Sequence, residues 1–450
     1  MPNKVCIIAS VHPPFDVKIF QKEAWIRSGS VACSKKLQSI RLMFYARSIL
    51  KQLRFSAMTL SMSNSSKSES SNKTKVLHIC SDFANQNIYT QLVTHLADKG
   101  VSQVVYAAVR TEKEAAWSPP VLAHTEYYLR HILRPYHRLF FRAKIRKVVH
   151  DLNTQVDLTN IGLIHAHFLY SDGVVALRLK KLFGIPYIVA VRSTDIYAFR
   201  RYHPDLNWLA DKVLREASRV VFISPTYRTF LLARLRTDMR KLVDHKSIVV
   251  PNGIKPDWLT QKPSFSESSG HLLRLIYVGS FLRRKNIPKI LEAVSILAAK
   301  QPVQLTLVGG GGNGDSEVQQ LLNSGKYRFV KYLGRVENGK FLREVYREND
   351  LFVMPSFHET FGVVYIEALS QGLPIIYSRG QGVDGYFAPG TIGEAVDPKS
   401  PADIAHKIDI LANRRQQVAQ ECVIQAQRFD WSQIAKTYRK IYASILMNGI

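Results

Sequence analysis

From residue 74 onward, short apolar runs alternate with stretches whose apolar residues recur every three or four positions. KVLHICSDF (75–83), VSQVVYAAV (101–109), LIHAHF (163–168), PYIVAVRS (186–193), RVVFIS (219–224) and SIVVPNGI (247–254) have strand length. Between them lie amphipathic patterns such as QNIYTQLVTHLADKG (86–100), which Gly100 ends. Apolar strands separated by helical periods predict a parallel sheet covered on both faces. The polar stretch TQKPSFSESSG (260–270) interrupts the alternation, which then resumes with LRLIYVGS, VQLTLVGGGG, RFVKYLG, DLFVMPS and LPIIYS. The expected fold class is α/β, with two doubly wound Rossmann-like domains facing across a cleft, a first over 74–258 and a second over 270–430. The tail DWSQIAKTYRKIYASIL (430–446) reads as a helix, so residues 431–450 are expected to cross back onto the first domain.

The first 73 residues break the pattern. VCIIAS (5–10) reads as a buried strand and VHPPFDVKIFQKEA (11–24) as a loop entering a helix. Residues 25–60 then mix basic and apolar side chains without a period, and SMSNSSKSESSNK (61–73) reads as a serine-rich linker. The chain thus begins its first strand–helix unit twice. Internal duplication and fusion of a truncated neighbouring unit both fit, and the single upstream unit favours fusion.

Charge narrows the partners. The 450 residues carry a net charge of +27, unevenly spread: residues 1–73 hold 12 basic and 3 acidic side chains, residues 74–255 hold 27 and 14, and residues 256–450 hold 23 and 18. The positive field sits towards the front, which suits anionic lipid, phosphorylated substrates or nucleic acid. Four cysteines (Cys6, Cys33, Cys80, Cys422) without a paired spacing argue against a zinc centre and a disulfide scaffold, and suit a reducing compartment. No long uncharged apolar stretch and no secretory signal pattern is present, so a cytoplasmic protein, soluble or peripheral on the membrane's inner face, is expected.

Ligands of open α/β sheets bind beyond the carboxyl ends of the strands. His165, His167, Ser193 to Asp195, Ser280, Gly309 to Gly312, Gly334 and Glu359 are all predicted there. The most informative stretch is HETFGVVYIEALSQGLP (358–374), in which Glu359 and Glu367 stand eight positions apart. A helix is predicted from about Phe361 to Gln371, stopped by Gly372 and Pro374. The amides of Phe361 to Val364 would then form an anion seat, which Gly362 lets a phosphate approach. Eight helical residues rise ~12 Å, too far for the paired carboxylates of a retaining glycosidase, which stand ~5 Å apart. They could bracket a nucleotide sugar, hydroxylated at both ends and anionic in the middle. A capping carboxylate plus a helix-surface glutamate is the plainer reading of the spacing.

ETFGVVYIEA (359–368) resembles the glutamate, seven residues, glutamate hallmark of glycosyltransferase family 4, retaining enzymes of the GT-B fold. The resemblance covers roughly 74–446. It implies that Glu359 contacts the donor sugar, Glu367 the ribose, and the backbone of Phe361, Gly362 and Val363 the diphosphate. YVGSFLRRKN (277–286) is similar to the family's phosphate-binding segment, which assigns Lys285 to the diphosphate. Ser280 stands where an arginine is common, so Arg283 or Arg284 would supply that charge. LVGGGG, with Gly309, and YLGRV, with Arg335 and Val336, complete the implied donor side. On the acceptor side are His167, Asp195 (alternatively a helix cap) and Arg192, the last standing where many relatives have histidine.

The implied reaction is sugar transfer from a nucleotide-sugar donor to a saccharide or lipid-linked acceptor in cell-surface polysaccharide or lipopolysaccharide assembly, with the leaving phosphate taking the acceptor's proton. No DxD motif ends a strand, so neither metal nor other cofactor is expected. RHILRPYHRLFFRAKIRK (130–147) has seven Lys or Arg and no acid. Arg130, Arg134, Arg138 and Arg142 predict a basic helical stripe, bent at Pro135, that meets anionic headgroups. A nucleic-acid-binding protein, a phosphorylase-like relative and an impaired member of the family are the competing readings; no nucleic-acid partner is expected.

Overall fold

The computed structural model describes residues 75–199, 204–260 and 271–447. The proposed strand at 5–10, the serine-rich linker, Cys6, Cys33 and the core of the 260–270 stretch lie outside the described residues.

Two parallel sheets form the protein. The first contains β1 (Lys75–Ile79), β2 (Gln103–Val109), β3 (Thr125–His131), β4 (Ile161–Ala166), β5 (Tyr187–Val191), β6 (Arg219–Phe222) and β7 (Ser247–Val249), in the order β3-β2-β1-β4-β5-β6-β7. The second contains β8 (Leu273–Gly279), β9 (Val303–Gly309), β10 (Val330–Gly334), β11 (Leu351–Val353), β12 (Ile375–Ser378) and β13 (Gly393–Val396), in the order β10-β9-β8-β11-β12-β13. Strand order reverses between β1 and β4 in one sheet and between β8 and β11 in the other. These are the points where an open parallel sheet leaves a crevice at its carboxyl edge. The two-sheet α/β architecture expected from the apolar pattern is the one observed.

The central strands are buried on both faces, β2 and β4 along their whole length, which is why they read as unbroken apolar runs. β8 and β9 press together at their carboxyl ends, where Gly309 pairs with Gly279. A side chain on Gly309 would collide with the Gly279 carbonyl, and its φ of 136° suits only glycine.

The helix Trp431–Met447 buries Trp431, Ile434, Ala435, Tyr438, Ile441, Tyr442 and Ile445, a spacing of three and four. That stripe packs on Val76, Leu163, Ile188 and Val221 of the first sheet and on Leu92 and Leu96 of the helix Asn87–Ala97. Chain from beyond the second sheet therefore closes one face of the first. Among the described residues no helix is long and apolar enough to cross a membrane, and Cys80 and Cys422 are buried free thiols.

Three local expectations fail. Arg130 lies on β3, an edge strand the sequence reading did not find, and its Nε donates to Asp151 Oδ2 at 3.2 Å. Residues 135–138 form a 3-10 turn and the helix starts only at Phe141, so the four arginines share no helical stripe. The helix at the glutamate motif runs from Val363 to Ser370, not from Phe361. Only the part from Val363 to Glu367 is helical, so Glu359 and Glu367 do not mark off eight residues of one helix.

Candidate active site

β11 delivers the chain into the turn 354–362, and Gly362 ends it at φ 80°, left-handed backbone that costs a non-glycine residue roughly 1–2 kcal/mol. A Cβ there would also strike the Tyr365 ring. This conformation explains the later helix start. It leaves the amides of Phe361, Gly362, Val363 and Val364 without an acceptor among the described residues. The Phe361 side chain is turned inward, its ring 5.8 Å from Tyr386 and 5.7 Å from Phe429, so only its backbone serves the site.

Glu359 is held from every side. Its amide donates to Gln381 Oε1 at 3.2 Å, and its carbonyl accepts from the Gly382 amide at 3.0 Å and from the Tyr227 hydroxyl. Its Oε1 accepts from the Thr360 amide at 3.0 Å, and its Oε2 takes the ammonium of Lys285. Lys285 rises from a 3-10 turn after β8, with Met354 Sδ 3.5 Å from its Nζ. The side chains of this ion pair are only 10% and 7% exposed, so each charge depends on the other to offset its desolvation. Arg284, more open, donates to the His358 carbonyl at 2.9 Å.

Arg284, Lys285, His358 and residues 359–364 line one cavity of about 540 Å³ between the two sheets, together with Arg192, Ser193, Thr194, Tyr89, Tyr197 and Asn252 of the first half. The halves are joined there by hydrogen bonds. The Ser193 and Thr360 hydroxyls meet, Gln381 Nε2 donates to the Tyr197 hydroxyl at 2.9 Å, and Ser224 Oγ donates to the Gly382 carbonyl at 2.8 Å. Arg192 lies over the Tyr89 ring at 5.3 Å, and its guanidinium donates to the His167 carbonyl at 3.3 Å and to Asn252 Oδ1 at 3.4 Å. Its guanidinium offers donors and no acceptor, so it cannot serve as a base.

The cavity thus gathers Glu359, Lys285, Arg284, Phe361, Gly362, Val363 and Arg192 from the predicted set. Glu367 is half-buried one turn into the helix, and desolvation pushes its carboxyl up to about 7 while Lys255 acts in the opposite sense. Ser280, Gly309, Arg335 and Val336 lie apart, at the carboxyl ends of β8, β9 and β10. Ser280 is exposed, and Arg335 Nη2 donates to the Gly310 carbonyl at 3.2 Å.

Two acceptor-side residues face into the protein. His167 is 1% exposed, and its Nε2 lies 3.1 Å from His78 Nδ1, behind the wall made by Tyr89 and Arg192. It belongs to a buried trio with His165, whose Nδ1 lies 2.7 Å from the Tyr442 hydroxyl. Burial drives all three imidazoles down, His78 to about 3. Each ring could offer one nitrogen to a metal within 4.8 Å of the others. The rings of His165 and His167, however, stack at 4.0 Å and turn faces rather than lone pairs to each other. The trio reads as a neutral packed layer. Asp195 neither caps a following helix nor reaches the cavity. Its carboxylate accepts from the Arg192 amide at 2.9 Å and the Tyr170 amide at 3.4 Å, tying the end of β5 to β4's loop, and burial raises it to about 6.

Tyr89, Tyr197, Tyr227, Asn252 and Thr360 escaped the sequence reading. Asn252 and Thr360 carried a signal, the first in the Pro-Asn-Gly turn after β7 and the second inside ETFGVVYIEA.

Residues 86–258 match the family described as Glycosyltransferase Family 4, and residues 262–429 match that described as Glycosyl transferases group 1. The chain is 26% identical to a D-inositol 3-phosphate glycosyltransferase of Corynebacterium kroppenstedtii over 66% of this chain and 70% of the relative. Among solved structures it is similar to a sucrose-phosphate synthase from Thermosynechococcus elongatus, with TM-score 0.65 and 21% identity, covering 82% of this chain and 100% of the other. It is also similar to Anabaena HepE in complex with UDP and glucose, with TM-score 0.58 and 19% identity, again over 82% and 100%.

Proposed function

Since the chain belongs to glycosyltransferase family 4 and has the GT-B fold, we propose that this glycosyltransferase takes a nucleotide sugar as donor and retains the anomeric configuration on transfer. One observation carries the reading: four free amides, a buried lysine–glutamate pair and two arginines converge on a single interdomain cavity. The donor diphosphate rests on the amides of Phe361 to Val364, with Lys285 and Arg284 neutralising the charge that grows as the sugar leaves. Glu359 accepts hydroxyls of the sugar. Glu367 accepts those of the ribose, and Arg335 and Val336 border the base. The leaving phosphate takes the acceptor's proton, so no protein base is required, in keeping with the buried His167 and the charged Arg192. HepE, crystallised with UDP and glucose, lends support to a donor of this class.

The acceptor is a saccharide or lipid-linked saccharide of the cell surface, met at the membrane's inner face. Tyr136, Leu139 and Phe140 are 53%, 78% and 61% exposed, amid the basic residues of 134–147. Apolar tips ringed by cations suit an anionic interface. The paired substitution Leu139→Glu with Phe140→Glu should reduce binding to phosphatidylglycerol vesicles about tenfold or more, as sedimentation would read; unchanged binding removes this surface from the proposal.

Titration with UDP, GDP and their sugars, followed by thermal unfolding, tests the donor reading. A nucleotide at about 100 times its Kd adds ~2.7 kcal/mol of stability. A shift with oligonucleotide and none with nucleoside diphosphates would favour the nucleic-acid reading. Proton NMR of the product's anomeric proton decides retention.

A further inference from the structure

A second cavity, of about 340 Å³, opens at the carboxyl ends of β1, β2 and β4 and shares Phe168 and Thr194 with the first. We propose that it is the acceptor subsite for an anionic group, a phosphate monoester or phosphodiester carried by the acceptor. The inference rests on the glycosyl-transfer reading and deepens it by naming the acceptor's chemical class.

The charges lining this cavity are unevenly satisfied. Lys144, buried in the wall, donates from its Nζ to Ser171 Oγ at 2.8 Å, a neutral partner that leaves its charge unpaired by contact. Arg110 follows β2 directly, and its half-buried guanidinium has no hydrogen-bond or ion-pair partner among the described residues. Arg138 acts on Arg110 as a like charge and Glu114 as an opposite one, and His137 feels Arg110, Lys144 and Lys147 as like charges. Burial draws the Lys144 ammonium down, the nearby charge of Asp172 opposes that fall, and Arg110 adds to it.

The cavity's carboxylates are occupied elsewhere. Glu114 accepts from the amides of Arg110 and Thr111 at 2.9 and 3.0 Å and from Asn85 Nδ2 at 2.9 Å. Asp82 accepts from Asn85 Nδ2 at 3.1 Å and from Gln86. Asp172, behind Lys144, accepts the Ser81 amide at 3.2 Å; burial raises its carboxyl and the charge of Lys144 opposes that rise. The Arg110 and Lys144 side chains, neither with an acid in direct contact, line a pocket that an incoming anion stabilises. Phe168 and Thr194 line both cavities, so the pocket adjoins the one that holds Glu359. The exposed Leu139 and Phe140 sit on the segment between Leu133 and Lys144, which both line the cavity, so a lipid-borne phosphate and a soluble sugar phosphate can each supply the group.

The test loads the full-length protein with saturating UDP, so that the donor's phosphate seat is filled, and titrates inorganic phosphate by calorimetry and 31P NMR. One phosphate should bind per chain. Arg110→Gln and Lys144→Met should each weaken it about tenfold, and their pair should abolish it, with the UDP affinity unchanged. A second arm replaces phosphate with vesicles containing phosphatidic acid: tighter binding there than to phosphate, lost in the same variants, assigns a lipid-borne source. Phosphate affinity equal in wild type and Arg110→Gln overturns the proposal. Failure of UDP to bind would instead sink the donor reading, while an Arg110-dependent phosphate site would still stand.

Discussion

Exchanging Glu359 for glutamine, or Lys285 for methionine, is expected to lower kcat/KM by about 100-fold to 1000-fold, the usual cost of removing one group that stabilises transition-state charge. Either change alone should also destabilise the protein by about 3–5 kcal/mol, because it strands the other charge in a buried setting. Both side chains are at most 10% exposed, and Glu359 is fixed by Gln381, Gly382, Tyr227 and Thr360, so the site cannot relax to hydrate the survivor. The double substitution separates the two roles. With neither charge present, the thermal midpoint should recover most of the loss while activity stays down. Recovery of activity to within about tenfold of wild type would show the pair to be structural and would remove Glu359 and Lys285 from the proposed chemistry.

The neutral layer of histidines behind the cavity is a product of tertiary pairing. His78 on β1 faces His165 on β4 in register, although the two are far apart in sequence. Tyr442 reaches His165 from the last helix. A chain-order reading sees His165 and His167 at one strand's end, passes over His78, and assigns His167 to the solvent-facing cleft. The central strands were legible because burial on both faces demands an unbroken apolar run. β3 was not: it is an edge strand, TEYYLRH, with no residue fully buried, and its arginine and histidine look like part of the basic segment that follows. β13 is four residues long and carries a glutamate. The glutamate motif was legible in type and place, yet its helix starts two residues late because Gly362 takes a left-handed turn that spacing alone does not reveal. The tyrosines that tie the halves together carry no local signature, since their partners are backbone carbonyls or side chains more than 100 residues away.

Stability should stay nearly flat from about pH 6 down to pH 4.5 and then fall steeply. The signs follow from the buried groups. His78, His165 and His167 are held neutral, whereas the unfolded chain protonates them below about pH 6.5. Each therefore weakens the fold as pH falls, by about 1.4 kcal/mol per unit. Asp172, Asp195 and Glu367 are raised to about 7, about 6 and about 7, so they stay protonated in the fold over a range where unfolded carboxyls, with pKa ~4, are ionised. They strengthen the fold as pH falls through that window. Three groups oppose three, and the slopes cancel. Below about pH 4 the carboxyls are protonated in both states and the imidazoles act alone, costing ~4 kcal/mol per pH unit. Carboxylates that the fold lowers, such as Glu114 beneath its backbone and asparagine donors, add to that fall. Thermal midpoints measured from pH 7 to pH 3.5 check this, and His78→Gln should remove about a third of the imidazole slope below pH 4. A decline that begins at pH 6.5 would mean the three carboxyls are ionised in the fold. A flat profile down to pH 3.5 would mean the histidine layer takes up protons without unfolding, and the neutral packed layer would be wrong.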